Sequence, residues 1–140
     1  MATAYLSRTV RFSAWHRYFR AAWSEEQNAQ AFGAAARAPG HGHDYTCAVT
    51  VRGAVQAETG MVMDLALLDR ILREEVVERL GGRHLNDVDA FGELGMVPTG
   101  ESVCIELWGR IGKRLPDGRE LHAIRVAEDA NLYSEYRGEP

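Results

Sequence analysis

The sequence has few cysteines, little excess charge and no long apolar run, and each shortage excludes a class of protein. Its two cysteines, Cys47 and Cys104, are too few for a disulfide framework, so a reducing, cytoplasmic compartment is expected. The formal net charge of −4 argues against non-specific nucleic-acid binding, which requires a basic surface. No apolar run reaches the length of a membrane span, and Arg8 and Arg11 interrupt any signal-peptide core.

The remaining composition is that of an ordinary folded domain. Hydrophobic residues make up 46% of the 140-residue chain and charged residues 26%, a balance typical of soluble globular proteins. A single domain over residues 1–140 is expected at this length. A chain this short often completes its binding sites by forming an oligomer.

The spacing of apolar residues predicts the order β-β-α-α-β-β, which is an α+β pattern. The long connection after the first strand is expected to be a loop with a short helical turn in its Ala-rich part. Asp64 and Thr99 are the expected N-caps of the two helices. The predicted segments are strands over 4–16, 44–55, 120–128 and 131–137, helices over 65–80 and 99–115, and loops over 17–40 and 83–98.

Three of the five histidines, His16, His41 and His43, lie at predicted strand ends beside one long loop. His41 and His43 are two residues apart at the start of an apolar run, which places both imidazoles on one face of a strand. A lone pair of this kind is usually a surface or packing feature, but the third histidine favours a metal site. Imidazole suits zinc, and also iron, nickel and copper, and three protein ligands leave the fourth position of zinc open. His84 and His122 are not accompanied by other potential ligands in this way. His84 fits a loop residue, and His122 fits a residue on a strand face.

Several motifs resemble those of the 6-pyruvoyl-tetrahydropterin synthase and 6-carboxy-tetrahydropterin synthase family. The first is Phe12-Ser13-Ala14-Trp15-His16-Arg17, and the second is Phe32-Gly33 followed by Gly40-His41-Gly42-His43-Asp44-Tyr45. Further similar segments follow in the order of the family at residues 59–65, 85–87, 98–101, 126–128 and 136–139. The likeness therefore spans nearly the whole chain.

The resemblance implies the tunnelling fold, an antiparallel four-stranded sheet with two helices in each subunit. Three subunits would close a twelve-stranded barrel, two trimers would stack into a hexamer, and the active sites would lie between subunits. The order of elements is the one that periodicity predicts. Closing the barrel would also cover the sheet edges that a lone subunit exposes.

The resemblance also assigns roles to six residues. His16, His41 and His43 would bind zinc, which would hold oxygens of a pterin side chain. Glu128 would accept hydrogen bonds from the 2-amino group and the ring N–H of the pterin. Without the resemblance, Glu128 would be read as a solvated strand residue. Thr99 and Glu101 would line the ring pocket. By their position alone, Thr99 would be a helix cap and Glu101 an acid in the first turn of the helix.

The chain departs from the family at its proton-transfer groups. The family uses a cysteine base before the His-Gly-His segment, and alignment on Phe32-Gly33 puts Ala35 at that position. An alternative alignment puts Arg37 there. The Asp-His pair of the family falls on Gly81 and Gly82.

Candidates for a replacement base are His84, which would need a local rearrangement, Glu25 and Glu26 in the long loop, and hydroxide on the metal. Loss of acid–base groups costs about 10²–10⁴-fold in rate, so it need not abolish metal-driven chemistry. The sequence therefore predicts a zinc-dependent lyase acting on a dihydroneopterin-type substrate with a non-standard base. The alternative is a catalytically inactive pterin-binding paralogue with a regulatory or partner role.

Overall fold

A four-stranded antiparallel sheet is the centre of the computed structural model, which describes residues 1–92 and 95–140. The strands pair in the order β1-β2-β3-β4. They are β1 (Thr3–His16), β2 (His41–Ala54), β3 (Arg119–Asp129) and β4 (Leu132–Tyr136). Three α-helices accompany the sheet in the described part of the chain: α1 (Glu25–Phe32), α2 (Leu65–Leu72) and α3 (Gly100–Gly112). The predicted α+β class and the four antiparallel strands are confirmed.

The two faces of the sheet differ sharply in burial. Along β1, Phe12, Ala14 and His16 are buried, whereas the intervening residues are exposed. α3 packs on β3 and β4, and the segment after α2 packs on β1, so the core lies between the helices and one sheet face. None of the helices in residues 1–92 and 95–140 is long and apolar enough to cross a membrane.

The predicted helix over 65–80 forms, but its second half is wound differently. Asp64 caps α2 by accepting a hydrogen bond from the backbone N–H of Ala66. α2 then continues as a π-helical stretch, Arg73–Glu78, in which Val76 is fully buried. An apolar pattern with helical spacing does not distinguish the π-helical winding from the α-helical one over so short a stretch.

The connection between β1 and β2 contains a regular helix, so the loop predicted over 17–40 is wrong over α1. A capping box begins this helix, because Ser24 accepts from the backbone N–H of Gln27 and the Gln27 side chain accepts from the N–H of Ser24. The buried Asn28 side chain then bonds the backbone of Arg20, which fixes the helix against the preceding chain. The Ser24-x-x-Gln27 spacing is the signal that apolar periodicity missed.

The loop predicted over 83–98 contains two 3₁₀ turns, Leu85–Asp87 and Asp89–Phe91. Residues 93 and 94 of that prediction lie outside the described residues. Just before this loop, Gly82 has a positive φ of 73° and its backbone N–H bonds the carbonyl of Ser13. The chain after α2 is thereby attached to the end of β1.

Candidate functional site

The pairing of β1 with β2 brings the three predicted metal ligands together. His16 lies directly opposite His41 in the strand register, and His43 follows on the same face two residues later. Their ring centroids are 4.5 Å apart for His16 and His41, 5.0 Å for His16 and His43, and 4.9 Å for His41 and His43. One ring nitrogen from each residue lies within 4.8 Å of the others.

Gly40 permits this close approach of the two strands. It adopts a positive φ of 106°, and a Cβ atom there would lie 2.4 Å from the backbone oxygen of His16. Glycine is therefore required on both conformational and steric grounds. β2 consequently begins at His41, three residues earlier than the strand predicted over 44–55.

The orientation of His16 is fixed by a carbonyl group far away in the sequence. Its Nδ1 lies 2.7 Å from the backbone oxygen of Pro98 and 3.2 Å from the hydroxyl of Tyr45. Because a carbonyl oxygen only accepts, Nδ1 must carry the proton and Nε2 must carry the free lone pair. A carbonyl behind one ring nitrogen is the usual way in which proteins orient a histidine that binds metal through the other.

Burial favours the neutral form of two of these imidazoles, His16 and His41. It lowers the pKa of His16 from 6.5 to about 4, and the neighbouring His41 and His43 lower it further, although the Pro98 hydrogen bond acts in the opposite direction. Burial and then His43 also lower the pKa of His41. A neutral imidazole is the form that binds a metal ion.

The three side chains fit a transition-metal ion such as zinc. The Nε2 atoms of His16 and His43 are buried and have no hydrogen-bond partner among the described residues. A buried nitrogen lone pair without a partner lowers the stability of the fold unless a hydrogen-bond donor or a metal ion binds it. Three imidazoles that converge in this way are a donor set that suits zinc.

Glu128 lies beside the three histidines at the end of β3. Its side chain is 8% exposed, and its oxygens lie 3.7 Å from Nε2 of His43 and 4.0 Å from Nε2 of His16. These separations are longer than hydrogen bonds. The Glu128 carboxylate therefore lies at the edge of the cluster as an acceptor that makes no hydrogen bond to the histidines.

Tyr18 is a site residue that the sequence reasoning missed. Its hydroxyl donates to Oε1 of Glu128 over 3.4 Å, and its ring packs edge-on against His16. Its backbone N–H bonds the carbonyl of Ala35 at 2.8 Å. Burial and then the charge of Glu128 raise the pKa of Tyr18 to about 12, so the hydroxyl keeps its proton. Its position two residues after His16 was the available signal, because extended chain places such side chains on one side.

Thr99 and Glu101 lie at the start of α3, next to the carbonyl that orients His16. Thr99 is the N-cap, because its hydroxyl oxygen accepts from the backbone N–H of Ser102. Glu101 accepts a hydrogen bond from the hydroxyl of Ser134 at 2.8 Å. The predicted cap of α3 is confirmed, and both side chains have partners within the described chain.

His84 connects two segments that border the cluster. Its Nε2 lies 2.5 Å from the carbonyl oxygen of Pro39, so Nε2 carries the proton. Its Nδ1 is buried without a hydrogen-bond partner among the described residues, and its backbone bridges to Trp15. The structure thus places His84 next to the end of β1.

No thiol is available at the cluster within residues 1–92 and 95–140. Cys47 and Cys104 are fully buried in β2 and α3, and burial raises the pKa of each to about 12. A thiol in that state is not a reactive thiolate.

Gly81 also has no room for a side chain. A Cβ at this position would lie 2.4 Å from the backbone oxygen of Val77. The positive φ of Gly82 likewise favours glycine. The backbone of this segment is therefore suited to the two glycines and not to an Asp-His pair.

Comparison with known proteins identifies the family of the chain. The family model described as 6-pyruvoyl tetrahydropterin synthase matches residues 5–139. The chain belongs to the 6-pyruvoyl tetrahydropterin synthase family. The 6-pyruvoyl tetrahydrobiopterin synthase of Homo sapiens is 38% identical over 137 residues, which cover 97% of this chain and 92% of the human protein.

Other members of the 6-pyruvoyl tetrahydropterin synthase family agree over the same length. The 6-pyruvoyl tetrahydrobiopterin synthase of Dictyostelium discoideum is 34% identical over 138 residues, with 98% of each chain covered. The solved structure of the Caenorhabditis elegans 6-pyruvoyl tetrahydropterin synthase superposes with a TM-score of 0.91 at 28% identity, covering 99% of this chain and 98% of that one. The resemblance seen in the sequence motifs is confirmed.

Proposed function

We propose that this chain is a zinc-dependent lyase that acts on the side chain of a dihydroneopterin-type substrate and uses a non-standard base. The observation that carries the proposal is the convergence of three imidazoles beside the buried Glu128, two of them with a buried Nε2 that has no hydrogen-bond partner among the described residues. The relatives of the chain are named as synthases, which supports an enzymatic role. Assembly into a trimer or hexamer is part of the proposal.

The proposed roles follow from the donor and acceptor character of each group. His16, His41 and His43 would hold zinc, which when bound supplies Lewis acidity to substrate oxygens. Glu128, an acceptor-only carboxylate, would take hydrogen bonds from the 2-amino group and the adjacent ring N–H. Thr99 would keep the start of α3 in place beside the ring pocket. Glu101, bonded to Ser134, would border the same pocket.

The base is proposed to be His84. Its protonated Nε2 is engaged by Pro39, which leaves Nδ1 as its free lone pair. Glu25 and Glu26 are the further candidates, and both lie in the first turn of α1. The Glu25 side chain is 85% exposed and 3.9 Å from Arg17, so it has the ordinary environment of a surface acid.

Metal analysis tests the ligand set. The purified protein is expected to hold one zinc per chain, and His41→Ala should lose most of it because two imidazoles remain. His122→Ala is the matched control, since His122 lies on a different strand against Tyr5. Equal zinc in wild type and His41→Ala would remove the ligand assignment.

Product identification tests the activity. Zinc-loaded protein is incubated with dihydroneopterin triphosphate and with dihydroneopterin. We expect a side-chain lyase product and little of the pyruvoyl product. Efficient formation of the pyruvoyl product would contradict the non-standard base. His84→Gln should lower turnover by about 10²–10⁴-fold while leaving pterin affinity unchanged if His84 is the base.

A second candidate function is favoured by one observation: Ala35, Gly81 and Gly82 stand where the family keeps its proton-transfer groups. On this reading the chain binds a pterin without converting it. Tight binding of dihydroneopterin with no product from either substrate would support it. Glu128→Ala should weaken binding on both readings, and unchanged affinity by calorimetry would show that the pterin anchor is misassigned.

A further inference from the structure

We propose that Tyr18 and Glu128 form one recognition unit that reads the 2-amino-4-oxo edge of the pterin ring, with Tyr18 donating to the 4-oxo group. The inference rests on the proposed function and deepens it by naming a residue that selects the substrate class. It requires that a neutral hydroxyl donor lie beside the carboxylate acceptor. The structure places the two groups 3.4 Å apart.

The hydroxyl of Tyr18 is held firmly but bonded weakly. The backbone N–H of Tyr18 is fixed by Ala35, and its ring packs edge-on against Phe32 at 6.0 Å and against His16 at 5.2 Å. The 3.4 Å contact with Glu128 is at the long end of hydrogen-bond geometry. A ligand atom that accepts a shorter bond can therefore replace Glu128 as the partner of this hydroxyl.

Other hydroxyl groups near the cluster already have closer partners. Tyr45 is 1% exposed and its oxygen faces Nδ1 of His16 at 3.2 Å. The Thr99 hydroxyl makes two hydrogen bonds to Ser102. It donates to the Ser102 hydroxyl and, as the helix cap, accepts from the Ser102 backbone N–H. Ser134 donates to Glu101 at 2.8 Å. Tyr18 is thus the hydroxyl best able to turn to a ligand.

The order of groups along the pterin edge matches this pair. The 2-amino group and the ring N3–H are adjacent donors, and the 4-oxo group beside them is an acceptor. A carboxylate with a hydroxyl donor at its side is the complement of that sequence. The 4-oxo group also lies on the same side of the ring system as the substituent at position 6. Tyr18 contacts Glu128 through its hydroxyl and packs near the rings of His16 and His41, beside which that substituent would be held.

The test measures ring preference, not turnover. Dissociation constants of zinc-loaded protein are measured by calorimetry for a 2-amino-4-oxopteridine, a 2,4-diaminopteridine and a 2,4-dioxopteridine. Wild type should bind the first most tightly. In Tyr18→Phe the preference for the 4-oxo over the 4-amino ring should fall about tenfold, as expected for one lost hydrogen bond in a specific site.

The dioxo ring serves as an internal control. It shares the 4-oxo group and N3–H with the first ring and differs at position 2 and at the adjacent N1, on the edge proposed to face Glu128. Tyr18→Phe should therefore leave the preference for 2-amino over 2-oxo unchanged. Tyr45→Phe, which removes a hydroxyl from the other side of His16, should keep both preferences even if its zinc affinity falls. Zinc content is measured for each variant.

The outcomes separate this inference from the proposed function. If wild type prefers the 2-amino-4-oxo ring and Tyr18→Phe keeps the full 4-oxo preference, the role of Tyr18 is overturned while pterin binding stands. If Tyr18→Phe lowers both preferences equally, the residue supports the pocket generally and the inference is also overturned. If wild type binds none of the three rings, the proposed function fails and this inference fails with it.

Discussion

At the scale of single residues, His16 shows how one backbone carbonyl can prepare a metal ligand. Pro98 lies 82 positions along the chain, yet its oxygen decides which nitrogen of His16 is free. The His41 and His43 rings lie beside it, and its Nε2 is 4.0 Å from Glu128, which is longer than a hydrogen bond. In the metal-free protein this histidine must remain neutral to stay buried.

Acidification should therefore destabilise the metal-free protein. The folded pKa of His16, about 4, lies below the ordinary value of 6.5, so the unfolded chain binds the proton more strongly. The contribution of His16 to the free energy of unfolding is fully present above pH 6.5. It is lost as the pH falls towards 4, which lowers the free energy of unfolding by about 3 kcal/mol. Urea unfolding of protein freed of metal by a chelator, at pH values from 7.5 to 5, measures this loss of stability. His16→Gln should lose clearly less over the same range, and parallel curves would contradict the assignment.

The residues of the site differ in how far sequence could predict them. His16, His41 and His43 were visible as histidines at strand ends. Glu128 has no local signal and was identified only through the family resemblance. Tyr18 and Pro98 were missed because their roles depend on tertiary contacts, one with a carboxylate 110 positions away and one with His16. The two-residue spacing of Tyr18 from His16 places it on the same side of an extended chain, but it does not reveal the contact with Glu128, and no spacing pattern identifies Pro98.

At the scale of elements, a cluster of charged side chains joins the π-helical stretch after α2 to α3. Glu75 accepts from Arg110 at 2.7 Å and from Arg114 at 3.2 Å, and its side chain is 13% exposed. Burial alone would raise the pKa of Glu75, but the hydrogen bonds from these arginines lower it below its usual value. Arg79 adds a bond to Glu106 on α3. The two helices are therefore connected by charge as well as by apolar packing.

Glu75→Gln should lower the free energy of unfolding by about 1–2 kcal/mol, because it removes a carboxylate shared between two arginines. Glu78→Gln is the matched control on the same stretch, since Glu78 is 60% exposed and pairs only with Arg73 among the described residues. It should cost less than about 0.5 kcal/mol. Urea unfolding at pH 7 measures both, and equal losses would show that the cluster contributes nothing beyond ordinary surface pairs.

Sequence periodicity predicted these elements unevenly for a physical reason. The strand and helix that pack on the core, β1 and α3, have strong apolar patterns and were predicted to within a few residues. α1 has only Asn28 buried, so it lacks the apolar stripe on which that method depends. It is stabilised instead by its capping box and by polar contacts, which are local signals of a different kind.

At the scale of the whole molecule, one sheet face and two sheet edges lack a cover within the described residues. The outer face of β1 presents Tyr5, Arg11, Ser13 and Trp15, and β1 and β4 end the sheet. β1 is a long edge strand of 14 residues, and in the described part of the chain its outer edge is paired only near its end, where Ser13 and Trp15 bond Gly82 and Arg83. Pairing between copies of the chain would satisfy the remaining backbone groups of this edge.

On the assembly that the family resemblance implies, the protein should be a trimer, or a multiple of it, of the 15.6 kDa chain in solution. Light scattering after size exclusion measures this directly. Leu132→Lys should shift the population towards monomer, because Leu132 is 53% exposed on β4 and a lysine opposes edge pairing. Leu65→Lys, at 42% exposure on α2, is the control. A monodisperse monomer of the wild type would contradict the proposal.

The exact opposition of His16 and His41 has a consequence for how this protein can change over evolution. A one-residue slip between β1 and β2 would turn His41 and His43 to the opposite face of the sheet. Insertions within either strand would therefore destroy the site. Insertions between residues 17 and 39 would leave the pairing intact, because the strands, not the connection, set the register. We expect length variation among close relatives to concentrate in that connection and to be absent from the two strands.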